Sequence, residues 1–380
     1  MFALLPIPNA SEGRRALMTQ QTTFSLEPNP NALDAATRDA LMRDPAFGRV
    51  FTDHMVTITW REGQGWQDAK VTARKPFSID PACSVLHYGQ EIFEGMKAYR
   101  GADGAVTLFR PLENARRFQA SAKRMAMPAL PESLFLEAIE QLVRIDQAWV
   151  PHGSGSLYLR PFMFANEVFL GIKPASEFIF CVIACPVGPY FKGGDKAVSV
   201  WVSENYTRAA PGGTGEAKCG GNYAGSLVAQ NEATANGCDQ VVFLDAAEHR
   251  WVEELGGMNI FFVMDDGTLV TPPLSGSILP GITRASVIEL AREMGMVVEE
   301  RRYSYPEWEA DAKSGRLAEA FVCGTAATLV AIGEVRSART RFAIGNGTAG
   351  NTVKVLRDRL VEIQRNQAAG PAGWVHHVAL

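Results

Sequence analysis

Lys218 stands in the run Gly212-Gly213-Thr214-Gly215-Glu216-Ala217-Lys218-Cys219-Gly220-Gly221-Asn222-Tyr223. Glycines on both sides remove Cβ atoms and let a bulky group approach the backbone. A lysine desolvated there, or set beside another cation, gives up its proton more readily. As a neutral amine it attacks a carbonyl and forms a Schiff base. Glycine content alone also fits a solvated surface loop, so other residues must decide.

Glu254, in Glu254-Leu255-Gly256-Gly257-Met258-Asn259, stands where one strand turns into the next. Strand alternation sends Glu253 and Glu254 to opposite faces, so at most one serves a given site. A pocket carboxylate needs a cation or N–H partner, and a protonated pyridine nitrogen would be one. Read locally, Glu254 fits an exposed strand position equally well. Gly281-Ile282-Thr283-Arg284 opens a helix after Ile278-Leu279-Pro280. Free N–H groups at a helix start bind anions, though the same signature is also an ordinary cap. Gly324-Thr325 offers another small N–H and hydroxyl pair, and Arg117 a bidentate donor for phosphate. An amine for an aldehyde, a carboxylate for a ring nitrogen and helix N-termini for a phosphate match the three ends of pyridoxal 5′-phosphate.

These residues need elements to carry them. Val56, Ile58 and Trp60 alternate with polar residues, so 50–61 and 66–75 read as two strands joined at Gly63-Gln64-Gly65. Strands follow at 95–100 and 106–109. Helical spacing runs over 111–126 and 132–149, and Pro128 and Pro131 separate the two helices. Strands at 156–164 and 177–186 complete an α+β half. The turn-rich stretch 189–196 reads as an interdomain linker. A strand at 197–203 leads to the lysine loop, and a helix over 222–236 ends at Gly237. Strands are expected at 239–245, 250–255, 258–264 and 268–271, with Asp265-Asp266-Gly267 as a hairpin turn. A helix over 282–294, a strand at 296–303, an apolar segment at 317–335 and a helix at 350–366 close the chain. The division is a polar arm over 1–35, expected to be disordered, a small domain over 36–188, the linker, and a larger domain over 197–380.

The chain has 380 residues, 47% hydrophobic and 21% charged, with net charge −4. That composition is globular and sufficient for more than one core. It offers no basic surface for nucleic acid. Six cysteines include no C-x-x-C pair, and no Cys/His set has zinc-finger spacing. Free thiols in a reducing cytosol, and no metal, are the expectation. Pro6 and Pro8 break the first apolar stretch, which does not read as a signal peptide. Met18 reads as a plausible true start, and no apolar run approaches the roughly 18 residues of a membrane helix.

Phe47-Gly48-Arg49-Val50-Phe51-Thr52-Asp53-His54-Met55 resembles the opening of branched-chain amino acid aminotransferases. Leu86-His87-Tyr88-Gly89-Gln90-Glu91-Ile92-Phe93-Glu94-Gly95-Met96-Lys97-Ala98 and Leu157-Tyr158-Leu159-Arg160-Pro161 resemble later blocks of that family. The lysine loop, the Glu254 motif, Leu279-Pro280-Gly281-Ile282-Thr283-Arg284 and Gly324-Thr325-Ala326 follow in the family's order, so the resemblance spans about residues 40 to 370. It implies a fold type IV pyridoxal-phosphate enzyme. Such a protein has a small N-terminal α/β domain and a larger C-terminal domain with a mixed, barrel-like sheet. It also implies a homodimer in which the partner's small domain completes the pocket. By match, Lys218 is the Schiff-base lysine, Tyr223 sits near the cofactor's phenolic oxygen and Glu254 pairs with the ring nitrogen. Arg117, Ile282, Thr283 and Thr325 hold the phosphate. Phe47, Tyr88, Phe93, Tyr158, Arg160, Tyr190, Gly257 and Ala326 line the substrate site. The activity implied is amino transfer between leucine, isoleucine or valine and 2-oxoglutarate.

Two positions depart from the pattern. Ala327-Thr328-Leu329-Val330 lacks the C-x-x-C that some animal members carry after Gly-Thr-Ala, and Gly257 stands where threonine is frequent. A D-amino acid aminotransferase or an aminodeoxychorismate lyase would keep the same lysine and glutamate. A P-loop nucleotide site requires G-x-x-x-x-G-K-[ST], which Ala217 and Cys219 break. A non-catalytic pyridoxal-phosphate carrier would not need the aromatic cage and Arg160.

Overall fold

The computed structural model describes residues 23–188 and 197–380. Two nine-stranded sheets organise them. The first runs in the order Ser25–Leu26, Gly65–Ala73, His54–Arg61, Glu177–Val187, Ser156–Ala165, Met96–Arg100, Val106–Phe109 and Val375–Val378, and the short Glu91–Phe93 pairs with Ser156–Ala165. Helices Pro111–Arg124 and Glu132–Ile145 cover it. Their apolar stripes meet the sheet through Phe118, Phe135 and Phe180, whose ring centroids lie 5.5–6.0 Å apart. The proline-containing stretch between the helices forces the reversal, since proline cannot continue a helix interior.

The second sheet closes on itself. Val252–Leu255, Gln240–Leu244, Val198–Ser203, Thr328–Arg336, Leu317–Gly324 and Asn259–Met264 form a ring, because Glu254 also pairs with Asn259. The expected barrel-like sheet and α+β class hold. Closure removes edges that would otherwise pair with other chains. One packed core includes Tyr303, Trp308 and Phe262. Another joins Phe261 and Phe321 to helices Ile282–Glu293 and Asn351–Gln364.

Several expectations change. The apolar segment 317–335 is two antiparallel strands reversing at 325–327. The helix expected over 222–236 is interrupted, with Gly220–Ala224 and Leu227–Ala235 flanking Gly225 and Ser226. The strand expected at 296–303 shortens to Val298–Glu300. Part of the arm is ordered: Ser25–Leu26 adds to Gly65–Ala73, and the Asn29 N–H donates to His54 Nε2 at 2.9 Å. The division at 197 misses one strand, since Val375–Val378 returns to the first sheet beside Val106–Phe109. Trp374 anchors that return, buried edge-on against Phe109 at 5.3 Å. Residues 1–22 and the expected linker 189–196, with Tyr190, lie outside the described residues.

Candidate active site

A cavity of about 240 Å³ opens between the two sheets. Lys218 enters it from the loop that precedes Gly220–Ala224. Asn222 Nδ2 donates to the carbonyls of Thr214 and Ala217, each at 2.8 Å, and Thr214 Oγ1 donates to Asn222 Oδ1 at 2.7 Å. Across the cleft, Ser121 Oγ accepts from the Lys218 N–H at 3.0 Å, and the Phe93 N–H donates to the Lys218 carbonyl at 2.9 Å. Two of the loop's glycines serve packing against the protein itself. A Cβ on Gly215 would stand 2.2 Å from the Ser277 carbonyl, and one on Gly220 would stand 2.3 Å from Glu91 Oε1.

Tyr223 sits on the short helix one turn beyond the lysine, and its hydroxyl meets Lys218 Nζ at 2.6 Å. Phe93 lies 4.6 Å below the same nitrogen. Burial, with Arg117 adding to it, lowers the Lys218 pKa to about 8 against the opposing charge of Glu94. Burial removes the water that stabilises an ammonium. Burial likewise raises the Tyr223 phenol to about 12, with Glu254 adding to the rise.

Glu254 occupies the other wall. Burial raises its carboxyl to about 7, against the pull of Arg208 at 2.9 Å. The Leu279 N–H donates to Oε1 at 2.8 Å, and Asn259 Nδ2 donates to Oε2 at 3.1 Å. The alternation argument holds, because Glu253 turns away to a separate pocket. Arg208 and Glu94 are charge partners of the predicted site residues that sequence reasoning missed. Glu94 is fully buried and grips Arg117 through two bonds, Nε–Oε1 at 2.7 Å and Nη2–Oε2 at 2.8 Å. Burial works against the Glu94 charge, but Arg117 outweighs it and holds the carboxyl below its usual range. Arg117 also donates to the Pro280 carbonyl at 3.2 Å, which ties the helix Pro111–Arg124 to the helix start at Ile282.

Ile282 and Thr283 form the first turn of Ile282–Glu293 behind Gly281, and Thr325 and Ala326 form the reversal between two barrel strands. All four line the cavity, with Arg117 and Gly257. A Cβ on Gly281 would strike Asn259 Oδ1 at 2.0 Å, so that helix entry has no room for a side chain. A Cβ on Gly257 would meet Tyr223 Cε1 at 3.6 Å, an ordinary contact. Tyr158 and Arg160 stand two residues apart on one strand and share a face. Arg160 Nη2 donates to the Tyr158 hydroxyl at 3.0 Å, and its guanidinium lies 4.8 Å over Phe93. Phe47 closes the mouth, 5.0 Å from Tyr158 and half exposed.

Tyr88 is elsewhere. It is exposed, its hydroxyl donates to the Leu170 carbonyl, and it does not line the cavity.

The residues fit pyridoxal 5′-phosphate. The cavity presents together an amine of lowered pKa, a buried carboxylate and a helix start. Arg160 Nε, buried, has no hydrogen-bond partner among the described residues. Comparison with known proteins gives the same picture. The family model for amino-transferase class IV matches residues 91–335. A probable branched-chain-amino-acid aminotransferase of Streptomyces coelicolor is 53% identical over 359 residues, covering 94% of this chain and 99% of that protein. The crystal structure of the Escherichia coli branched-chain amino acid aminotransferase superposes with a TM-score of 0.70 at 28% identity, covering 85% of this chain and 99% of that one. A second branched-chain amino acid aminotransferase, from T.th. and solved with pyridoxamine 5′-phosphate, does so with a TM-score of 0.70 at 30% identity, covering 85% and 98%. The chain belongs to the class IV amino-transferase family. It is an aminotransferase, and its resemblance to the branched-chain group stands with these relatives.

Proposed function

We propose that this protein moves the amino group of leucine, isoleucine or valine onto 2-oxoglutarate, giving L-glutamate and a branched-chain oxo acid, with pyridoxal 5′-phosphate held in the cavity. The observation that carries this reading is the Lys218 amine, lowered to about 8 and facing the same space as Glu254, Thr283 and Thr325. Lys218 would hold the cofactor's aldehyde carbon, Glu254 its ring nitrogen and Tyr223 its phenolic oxygen. Arg117, Ile282, Thr283 and Thr325 would hold its phosphate. When bound, the cofactor supplies an electron sink for breaking a bond at the substrate Cα.

The chain's own residues do the rest. Lys218 Nζ, neutral in part at neutral pH, takes the proton from Cα and later returns a proton. Arg208 pulls against the burial of Glu254 and favours its ionised form toward the ring nitrogen. Phe47, Phe93 and Tyr158 exclude water and bury an aliphatic side chain. Arg160 supplies the cation that the glutamate side chain needs in the same pocket. Gly257 and Ala326 leave backbone groups open to the substrate carboxylate. Each amino acid and oxo acid binds in turn, so ping-pong kinetics follow.

A homodimer is part of the proposal. Leu86, Val168, Phe169, Leu170 and Ile172 expose apolar surface around Tyr88, and Ile172 is 90% exposed. Contiguous exposed apolar surface marks an interaction site. A second copy would cover it and receive Tyr88 near its own cavity. Cytoplasmic location fits six free buried cysteines. Among the described residues no helix is long and apolar enough to cross a membrane. The small domain over 36–188 and the large one from 197 are proposed as folding units, with the last strand exchanged between them.

The test is a panel of L- and D-amino acids with 2-oxoglutarate, scored by glutamate formed. Turnover confined to branched-chain L-amino acids is expected. Turnover of D-amino acids alone, or none, refutes the reading.

A further inference from the structure

A second cavity, of about 100 Å³, lies behind the catalytic wall. It uses the opposite face of the strand Val252–Leu255, so Glu253 faces it while Glu254 faces the first. Glu253 is 8% exposed. Its Oε1 accepts from Ser277 Oγ, while its Oε2 is buried with no hydrogen-bond partner among the described residues. A buried carboxylate oxygen left without a partner is costly, and such groups call for a ligand. Burial, the main cause, pushes the Glu253 carboxyl up, against the Ser277 hydrogen bond and the more distant charges of Arg208 and Arg302.

The neighbouring groups narrow the ligand. Two other carboxylates line the space. Asp245 is spent: its two oxygens accept the backbone N–H groups of Ala247, Glu248, Arg250 and Trp251 at 2.8–3.2 Å. Glu248 is half exposed and takes the Trp251 indole N–H at 3.0 Å. A divalent metal needs several oxygen ligands at once, and the free oxygen of Glu253 stands alone. Ser275 supplies a hydroxyl, bonded to Ser277 Oγ at 2.8 Å. Trp251, Pro272 and Ile278 supply apolar wall. Arg302, the one lining cation among the described residues, is 63% exposed and paired loosely to Glu248 at 3.8 Å. A single unsatisfied carboxylate oxygen in a partly apolar pocket suits a charged N–H donor with a short alkyl body.

We propose that this cavity binds a small alkylammonium ligand, its N–H on Glu253 and its carbon atoms against Trp251, Pro272 and Ile278. A volume near 100 Å³ admits roughly four to six non-hydrogen atoms, judged against a 150 Å³ cavity that holds benzene. The ammonium comes from a simple amine or from an amino acid whose carboxylate reaches Arg302. The pocket is built independently of the cofactor site, so this inference does not rest on the aminotransferase reading. The two sites share a wall, since Ser277 bonds Glu253 while the Leu279 N–H bonds Glu254.

The experiment is calorimetric titration of the protein, with whatever cofactor it carries, by N,N-dimethylethylammonium. A tertiary amine cannot condense with an aldehyde, so no covalent adduct forms at the active site. Saturable binding of one ligand per chain is expected. Glu253→Gln should weaken it at least tenfold, and Ser275→Trp, at an exposed position, should abolish it by filling the cavity. Neutral 2-butanol should not bind. N,N-Dimethylglycine carries the same ammonium plus a carboxylate. Tighter binding of it, lost in Arg302→Gln, supports the site with an amino acid as the source; equal or weaker binding supports the site with a simple amine. Absence of saturable heat with the wild type overturns the proposal. So does equal affinity in Glu253→Gln together with unchanged binding in Ser275→Trp, which places the ligand elsewhere.

Discussion

Lys218 should react as a neutral amine near physiological pH, and the extent follows from its pKa. At pH 7.5 a lysine at its ordinary 10.5 is neutral in about 0.1% of molecules, whereas one at about 8 is neutral in about a quarter. That is a gain of about two hundredfold in reactive amine. The assay is the rate at which pyridoxal, which lacks the phosphate and so does not need its cradle, attaches to the apoprotein. Borohydride trapping and peptide mapping assign the attachment, which matters because burial also lowers Lys97 to about 8. The rate at Lys218 should rise with pH and level off past a midpoint near 8. Arg117→Gln then moves that midpoint upward by about one to two pH units, for two reasons of the same sign. It removes a cation that repels the ammonium, and it frees the buried Glu94 to attract it. The double variant Glu94→Gln/Arg117→Gln removes both charges and should bring the midpoint most of the way back. A wild-type midpoint near 10.5 refutes the reasoning, and so does a midpoint that ignores Arg117.

Lys218→Ala should bind the cofactor without a covalent link and lose transamination, as mass spectrometry after reduction and a glutamate assay would show. Gly215→Ala forces a Cβ to within 2.2 Å of the Ser277 carbonyl; displacing that segment should weaken cofactor affinity about tenfold or more by equilibrium dialysis, with unchanged affinity counting against the packing argument. Trp374→Ala removes a buried aromatic that holds the returning strand, and denaturant titration should register a loss of about 3–5 kcal/mol. Lys97 Nζ donates to the Ala326 carbonyl at 3.0 Å and holds the reversal at the cavity rim, so Lys97→Met should raise KM for the amino acid more than it lowers kcat.

The strands and helices of the first sheet were legible because period-two and period-3.6 patterns are local. Pro128, Pro131 and the Gly63-Gln64-Gly65 turn mark their ends. The pair around Glu254 was legible as alternation alone. Arg208 was not, since Tyr206-Thr207-Arg208 carries no periodic or motif signal, and its bond to Glu254 exists only once the barrel closes. The return of Val375–Val378 was hidden for the same reason: a strand's partner is set by topology, and 375–378 is too short and mixed to announce itself. The position of Tyr88 shows the other limit. Its motif places it by resemblance in the substrate site, yet within one chain its hydroxyl is bonded to Leu170 on an exposed apolar face. Only the proposed second copy of the chain would bring it to a site.

Burial displaces the two central groups toward one another, because it penalises charge of either sign. Lys218 falls and Glu254 rises. For Glu254 the consequence for stability has a definite sign. Its folded pKa lies above its unfolded value, so the folded state holds that proton more tightly. The favourable contribution is complete below pH 4.5 and is lost as the pH rises through about 7. Above that, the ionised carboxylate costs about 3 kcal/mol relative to its protonated form, and about 2 kcal/mol of this develops between pH 5 and 7.5. Lys218 does not confuse the measurement, since its own penalty is nearly constant below about pH 8. Glu254→Gln removes the ion pair with Arg208 at every pH, a near-constant offset, and leaves Arg208 its bonds to the Ser277 and Gly215 carbonyls. The apoproteins of the wild type and this variant should therefore differ in slope: from pH 5 to 7.5 the wild type should lose about 2 kcal/mol more, by chemical denaturation. Parallel curves would mean that Arg208 already neutralises the burial of Glu254, and that the carboxylate is ionised in the folded chain before any cofactor arrives.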